Sequence, residues 1–497
     1  VFFLGIDLGT SSVKILLLAN DGKVLQTVTK DYPVYYPKPG WAEQNPEDWW
    51  DATRKGIREI LDMTAGTAQE VKGIGLSGQM HGMVLLDQED RVLMPALLWC
   101  DQRTQDECDE LTEQLGFKLS EYTGNKALAG FTAPKVLWVR RNRPEIYRRI
   151  AHVLLPKDYI RWRLTGDYAT DVSDASGTLF FDVARREWSR EMLVFLGLSE
   201  QVLPTCYESY EITGHVSKQA NAETGLCAGI PVVGGGGDQA SGAVGTGVVA
   251  AGGASVALGT SGVVFACQEN YSVDKENRLH SFCHANGKWH VMGVMLSAAS
   301  CLKWWVEEVC QLDGSAGYTA LLEEAAAVPP GSEGLVFLPY LLGERTPYSD
   351  PYARGTFVGL TMTHTRKHMT RAILEGVAFG LRDSLEIIRQ QHIPVDEVRV
   401  SGGGAKSVLW RQILADILGL PVCLVNSVEG PAFGAAILAA VGVGAFEGVE
   451  KACSAIIRTV EQTEPLTANI AKYNELYAIY HRLYGTLRQT FRELGKI

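Results

Sequence analysis

Two acidic residues stand where strand-like runs give way to glycine. Asp7 closes the apolar run from Phe2 and leads into Leu8-Gly9-Thr10-Ser11, while Asp238 follows glycines 234–237 and precedes the small-residue segment from Ala240 to Val244. A carboxylate without bulky neighbours leaves its face open to a ligand, and glycine lets other backbone approach closely. Leu-Gly-Thr-Ser recurs at 258–261, again between two strand-like runs, Ala254–Leu258 and Val263–Cys267. Gly402-Gly403-Gly404 and the segment 430–434 are further glycine turns beside polar residues. Such turns let backbone N–H groups and hydroxyls converge on phosphate oxygens. Any single one also serves as a tight connection. The repeated hairpin shifts the weight toward two facing turns that grip a phosphate chain. The two carboxylates then divide the work: one organises a divalent cation on the phosphates, and the other accepts a proton from an attacking hydroxyl.

The elements that position these groups read as strands interleaved with helices. Phe2–Asp7, Val13–Ala19 and Val24–Thr29 form a meander of short strands. Asn45-Pro46-Glu47 is a helix start with Asn as N-cap and Pro at N1, and Trp49, Trp50, Ile57, Ile60 and Leu61 follow at helical spacing. Gly73-Ile-Gly75-Leu-Ser-Gly78 matches a dinucleotide-binding pattern, but it lies inside an extended segment followed by another strand, where that pattern needs a helix. The basic stretch Arg140–Arg163 reads as helical, as do Ser297–Cys310 and Arg366–Gln391. Val398–Val400, the glycine turn at 402 and a helix through Trp410, Leu414 and Leu418 make a strand–turn–helix unit. A small-residue helix at Gly434–Val441 and an amphipathic helix at Ala468–Leu494 follow. The pattern predicts an α/β protein in two lobes.

A chain of 497 residues exceeds the size at which one core stops growing, so two or three domains are expected. Apolar content of 46% and charged content of 21% are ordinary for a globular protein. A formal charge of −11 argues against nucleic acid and anionic membrane surfaces as partners. The 10 cysteines are scattered without metal-binding spacing, as expected of reduced thiols in a cytoplasmic protein. The early Asp7 is unlike a signal segment, and no apolar run is long enough to span a membrane.

The order of motifs resembles the FGGY family of carbohydrate kinases, within the sugar kinase/actin/Hsp70 clan. The resemblance rests on Gly-Ile-Asp-Leu-Gly-Thr-Ser at 5–11, Gly-Gln-Met-His-Gly at 78–82, Trp-Cys-Asp-Gln-Arg at 99–103 and Gly-Phe-Thr-Ala-Pro-Lys at 130–135. It continues through Leu-Pro-Lys-Asp-Tyr at 155–159, Gly-Gly-Gly-Asp-Gln-Ala at 235–240, Ser-Phe-Cys-His-Ala at 281–285 and Gly-Glu-Arg-Thr-Pro at 343–347. Ala-Ile-Leu-Glu-Gly at 372–376 and Ser-Gly-Gly-Gly-Ala-Lys-Ser at 401–407 complete it. Such a resemblance implies a two-lobed, duplicated ribonuclease-H-like (actin/hexokinase-type) fold with a cleft. The sugar-binding lobe is expected over 1–247, the nucleotide-binding lobe over 248–467, and a helix packing back over 468–497.

The resemblance also implies ATP-dependent phosphorylation of D-xylulose at O5. Gluconate, ribulose or glycerol are the neighbouring alternatives, and an ATP-driven shape switch is the alternative of another class. It casts Asp238 as general base and Asp7 as the acid that orients Mg2+, directly or through water. Gln79, Met80, His81, Trp99, Asp101, Arg103 and Gln239 are cast at the sugar. Thr10, Ser11, Gly259, Thr260, Ser261, Gly402, Gly403, Gly404, Ala405 and Ser407 are cast at ATP. A homodimer is plausible on the same ground. Read singly, His81 is a structural histidine, Met80 a core filler, and Asp101 with Arg103 a surface ion pair. Gly245, Gly247, Gly252 and Gly253 are hinge candidates. Cys100 departs from the Asn frequent at that place in the family, and Gln239 from the Asn that some members carry.

Overall fold

The computed structural model describes residues 1–64, 68–427 and 429–496. It contains two seven-stranded sheets that share the order of six strands and differ in the seventh. In the first, Phe2–Leu8, Ser12–Ala19 and Val24–Asp31 form an antiparallel meander. Phe2–Leu8 then pairs in parallel with Val71–Gly78, and Pro231–Val233 and Ile212–His215 lie beyond. In the second, Gly252–Leu258, Gly262–Gln268 and Trp289–Met295 repeat the meander, and Val395–Ser401 and Val422–Val425 repeat the parallel side. His280–Cys283 and Thr459–Thr463 cap its two edges. The chain is thus a duplicated α/β fold, and the two Leu-Gly-Thr-Ser turns occupy equivalent hairpins. The central strands are buried on both faces, which accounts for their nearly unbroken apolar runs.

Local signals act largely as expected. Asn45 accepts a hydrogen bond from the Glu47 N–H at 3.2 Å and opens the helix Pro46–Met63, which buries Trp49, Trp50, Ile57 and Ile60. The basic stretch is not one helix. Pro144 disfavours helical backbone at Arg143, so Thr132–Asn142 stops there, His152–Leu154 forms a strand, and Pro156–Thr165 starts afresh. The helix expected over 297–310 runs from Ala299 to Trp304 and widens into a π turn at Trp305–Val309. Asp238 is the first residue of the helix Asp238–Thr246, not the end of a strand.

The small-residue helix, Gly430–Gly442, has a clear packing role. A Cβ on Gly5 would strike the carbonyl oxygen of Ala432, and one on Gly75 would strike that of Ala435. Two glycines of the dinucleotide-like pattern, Gly73 and Gly75, therefore let a helix from the second half lie on the first sheet, whereas Gly78 packs against Lys157 and Leu8. The same helix crosses Asp238–Thr246 at glycines: a Cβ on Gly434 would meet the Ser241 carbonyl, and one on Gly245 the Gly430 carbonyl. Gly245 is thus held in a close crossing. Gly247 ends its helix at φ 76° and Gly252 opens its strand at φ 90°, values that glycine adopts without strain. The closing helix Thr467–Leu494 buries Tyr473 and Tyr480, and Tyr473 donates to Glu375 at 2.7 Å. Among the described residues no helix is long and apolar enough to cross a membrane, and all the cysteines are free thiols.

Candidate active site

Strand register brings the two acids together. Asp7 pairs with Ser77 and Leu8 with Gly78, and on the far side Gly236 pairs with Ser77 and Gly237 with Gly78. Asp7, the Gln79–Met80 segment and Asp238 therefore emerge at adjoining C-terminal strand ends, where α/β sheets commonly bind ligands. Burial raises Asp7 to about 6, against the pull of the neighbouring Ser77 hydroxyl and Lys14. Its Oδ1 has no hydrogen-bond partner among the described residues, and Lys14 is bonded to Glu429 at 2.9 Å. Burial, and then the charge of Asp7, raise Asp238 to about 7, opposed by the backbone and side chain of Gln239. Two carboxylates that hinder each other's ionisation suit one held charged by a cation and one that trades protons near neutrality.

His81 is shaped by three contacts. Its backbone lies at φ 67°, and its carbonyl accepts from Lys135 Nζ at 2.8 Å and Thr132 Oγ1 at 3.1 Å. Its Nδ1 sits 2.7 Å from the Gly177 carbonyl, so Nδ1 carries the proton and Nε2 keeps its lone pair. Burial drives the ring's pKa down to about 3, with Lys135 and Arg345 adding to the effect against the Gly177 bond, which leaves the imidazole neutral. Met80 is buried in a cluster with Leu97, Phe131, Phe265 and Phe282, and a Cβ on Gly237 would lie 2.8 Å from its Cγ. It fills core and at once forms the floor beside Asp238. Gln79 donates to Gln44 at 3.1 Å, and Gln44 donates to the Thr10 carbonyl at 2.7 Å, so the loop is tied to the first hairpin. Gln239 is half-buried beside Asp238.

Trp99, Asp101 and Arg103 lie behind this centre. The Trp99 indole donates to Thr10 Oγ1 at 2.9 Å, and Tyr32 donates to the Gly9 carbonyl at 2.6 Å, so the first hairpin is braced from two sides. Ser11 is exposed at its tip. Asp101 and Arg103 are not a surface pair. Both side chains are at most 2% exposed, the Arg103 Nε contacts both Asp101 oxygens at 2.9 and 3.0 Å, and Asp101 also accepts from the Ala42 N–H. Arg103 further bonds Glu43 and stacks 3.6 Å over Trp41. The structure brings neither into the space between Asp7 and Asp238. It makes them a buried brace for the loop that carries Trp99.

The second hairpin borders a cavity of about 730 Å³ lined by Gly259, Thr260, Ser300, Tyr318, Gly403 and Trp410, among others. Gly404 and Ser407 also reach it. Ser261 is exposed on the hairpin. Gly402, at φ 88°, allows the two turns to touch, because a Cβ there would lie 2.5 Å from the Leu258 carbonyl oxygen. Ala405 is buried, with its carbonyl taken by Arg411 at 2.7 Å, and the Ser407 hydroxyl caps the helix Val408–Leu418 by accepting from Trp410 N at 3.2 Å. These two support the turn. The Thr260 carbonyl accepts from Ala298 N and from Ser300 Oγ, at 2.9 and 2.7 Å. The size and mixed lining fit a nucleoside.

Sequence reasoning missed Gln44, Lys135, Ser300 and Tyr318. Only Lys135 lay in a quoted motif, and nothing local distinguishes a lysine that reaches a carbonyl 54 positions away.

The FGGY carbohydrate kinase N-terminal domain matches residues 2–245, and the C-terminal domain matches 254–443. The chain is 44% identical to the xylulose kinase of Escherichia coli (strain K12), over 99% of each chain. It is 40% identical to that of Bacillus subtilis (strain 168), over 97% of this chain and 96% of the other. The crystal structure of xylulose kinase from Rhodospirillum rubrum superposes with a TM-score of 0.93 at 32% identity, covering 99% of this chain and all of that one. The duplicated sheets, the paired hairpins and these matches agree, and the chain belongs to the FGGY family of carbohydrate kinases.

Proposed function

We infer that this protein transfers the γ-phosphoryl group of ATP to O5 of D-xylulose, giving D-xylulose 5-phosphate and ADP. The observation that carries the reading is the pair Asp7 and Asp238 at adjoining strand ends, with Asp238 raised to about 7 beside the Met80–His81 loop. Near neutral pH such a carboxylate is ionised often enough to act and basic enough to take a hydroxyl proton. As O5 bonds to the γ-phosphorus and the bond to the ADP oxygen breaks, the proton passes from O5 to Asp238 and later to water. His81, neutral and with Nε2 unprotonated, accepts a hydrogen bond from a sugar hydroxyl, and Gln239 offers an amide to another. Met80 excludes water from the floor.

The cavity at the second hairpin takes the adenosine. The backbone of Gly9–Ser11 and Gly259–Ser261 faces the phosphates from the two halves, so that positioning and electrostatics carry the transfer. Mg2+ fits this centre. Asp7 offers a hard carboxylate oxygen that no described residue satisfies, next to a second acid, and it would hold the ion directly or through water. The ion supplies charge neutralisation on the phosphates. The identity to xylulose kinases supports D-xylulose as the acceptor.

The test is ATP consumption measured with D-xylulose, D-ribulose, gluconate and glycerol offered separately. The reading expects the highest kcat/KM with D-xylulose. A higher value with another acceptor overturns the substrate, and no stimulation by any of them overturns sugar phosphorylation itself.

A further inference from the structure

Behind the Asp238 turn lies a buried charge cluster that the reaction above does not use. Lys157, in the Leu-Pro-Lys-Asp-Tyr motif, is fully buried and lies 2.7 Å from Asp158, 2.9 Å from Asp171 and 3.4 Å from Asp174. Arg161, also fully buried, is the second cation, and it donates to the Val233 carbonyl at 2.7 Å and to the Gly234 carbonyl. Three carboxyls thus face two cations, and Asp174 is pushed well above the usual carboxylate range, by burial first. Buried ion clusters stabilise weakly for what desolvation costs them. This one is connected, atom by atom, to the residue that precedes the base.

Asp171 Oδ2 accepts from Ser173 N at 2.8 Å, Ser173 Oγ at 2.5 Å and Ser209 Oγ at 2.8 Å. Ser173 Oγ in turn accepts from the Gly237 N–H at 3.1 Å. On its other side Gly237 is pressed by Met80. The Gly235 N–H is held by the Ser209 carbonyl at 2.7 Å. The turn 234–237 is therefore clamped by Arg161, Ser209 and Ser173, and Asp171, which anchors both serines, is itself ion-paired to the buried Lys157 at 2.9 Å.

We propose that Asp171 and Ser173, anchored by Lys157, are positioning residues that fix the Gly237 amide and so aim the Asp238 carboxylate at the attacking hydroxyl. The inference rests on Asp238 acting as general base. The clamp sets where the base sits and keeps it in its desolvated place. The groups facing Asp238 there are Asp7, with Lys14 behind it; Asp174, with Lys157 behind it; and Gln239 on its own helix. Releasing Gly237 lets the carboxylate swing toward water, which lengthens its reach to the sugar and relaxes its raised pKa toward the ordinary range.

The experiment compares wild type, Ser173→Ala and Asp238→Asn in sugar-dependent ATP turnover across pH, with a thermal melt of each. Misplacement of a catalytic group costs on the order of tenfold to a hundredfold. Ser173→Ala is expected to lose kcat on that scale with both KM values unchanged, and to shift the acidic limb of its pH profile to lower pH. Unchanged kcat and limb overturn the positioning role. A loss that only follows the unfolded fraction, with the limb in place, overturns it too. Full turnover in Asp238→Asn removes the general-base reading on which the inference rests, whereas an inactive Asp238→Asn beside a wild-type-like Ser173→Ala removes the inference alone. Should Ser173→Ala not fold, Asp171→Asn, which preserves shape, carries the same readouts.

Discussion

Lys135 gives the sharpest separation between holding the fold and holding the site. It is fully buried, and its ammonium group donates to the carbonyls of His81 at 2.8 Å and Gly130 at 2.7 Å. Burial lowers its pKa from 10.5 to about 7, with Asp101 the largest opposing influence. Lys135→Met removes a cation whose burial, at ~1.4 kcal/mol per unit, costs up to ~5 kcal/mol near neutral pH. It also leaves two carbonyls short of a donor, at about 1–3 kcal/mol each. These effects oppose each other, so the melt at pH 7 should move little. His81 then keeps only Thr132 on its carbonyl, and its φ of 67° loses its restraint. The sugar KM should rise by about tenfold, the equivalent of ~1.4 kcal/mol.

The linkage has a definite sign. Between pH 7 and 10 the unfolded chain holds the lysine proton that the native protein has released, so this group makes native stability rise with pH. That rise should be absent in the variant. Initial rates against sugar concentration at saturating ATP, with melts at pH 7 and 9, measure both effects. A wild-type sugar KM in Lys135→Met refutes the clamp on His81.

The remaining expectations follow from the same geometry. With Asp238 as the proposed base, kcat/KM for the sugar should fall with unit slope as pH drops below about 7, as read from a pH–rate profile. The same raised carboxyls reduce stability with rising pH. From about pH 4 to 7 the native protein keeps protons that the unfolded chain gives up, so Asp7→Asn with Asp238→Asn should flatten that part of the stability–pH curve measured in denaturant. Gly75→Ala forces a methyl onto the Ala435 carbonyl and should lower stability by about 1–3 kcal/mol in chemical denaturation. Tyr318→Ala opens the cavity wall and should raise the KM for ATP several-fold while sparing the sugar KM, in paired titrations.

Much of the fold was legible because its signals are local. Asn45-Pro46 capped its helix as written, and the repeated Leu-Gly-Thr-Ser marked equivalent hairpins. The helix expected across 140–163 failed because the charge pattern was allowed to override Pro144. The glycines at 5, 73 and 75 were legible as strand residues, but their reason lies in a helix more than 350 positions away, which no window of sequence contains. At the candidate site, the positions set by a local strand end or turn were readable: Asp7, Asp238 and His81. Asp101 and Arg103 were cast at the sugar by resemblance and read singly as a surface pair; their burial against Trp41 and Ala42 is a property of the packed loop that neither reading contains. Lys135 and Ser173 contact distant backbone and Lys157 distant carboxylates, and only the structure shows these partners.

The most direct test of the account is the chemical step itself, followed as transfer of the γ-phosphoryl group from ATP to D-xylulose in a single turnover. Wild type and Asp238→Asn are compared at pH 7, with sugar affinity measured by calorimetry. A general base contributes about 10²–10⁴-fold, so the variant should slow by that factor while binding the sugar as the wild type does. Transfer in Asp238→Asn at the wild-type rate would contradict the assignment of Asp238 as the base.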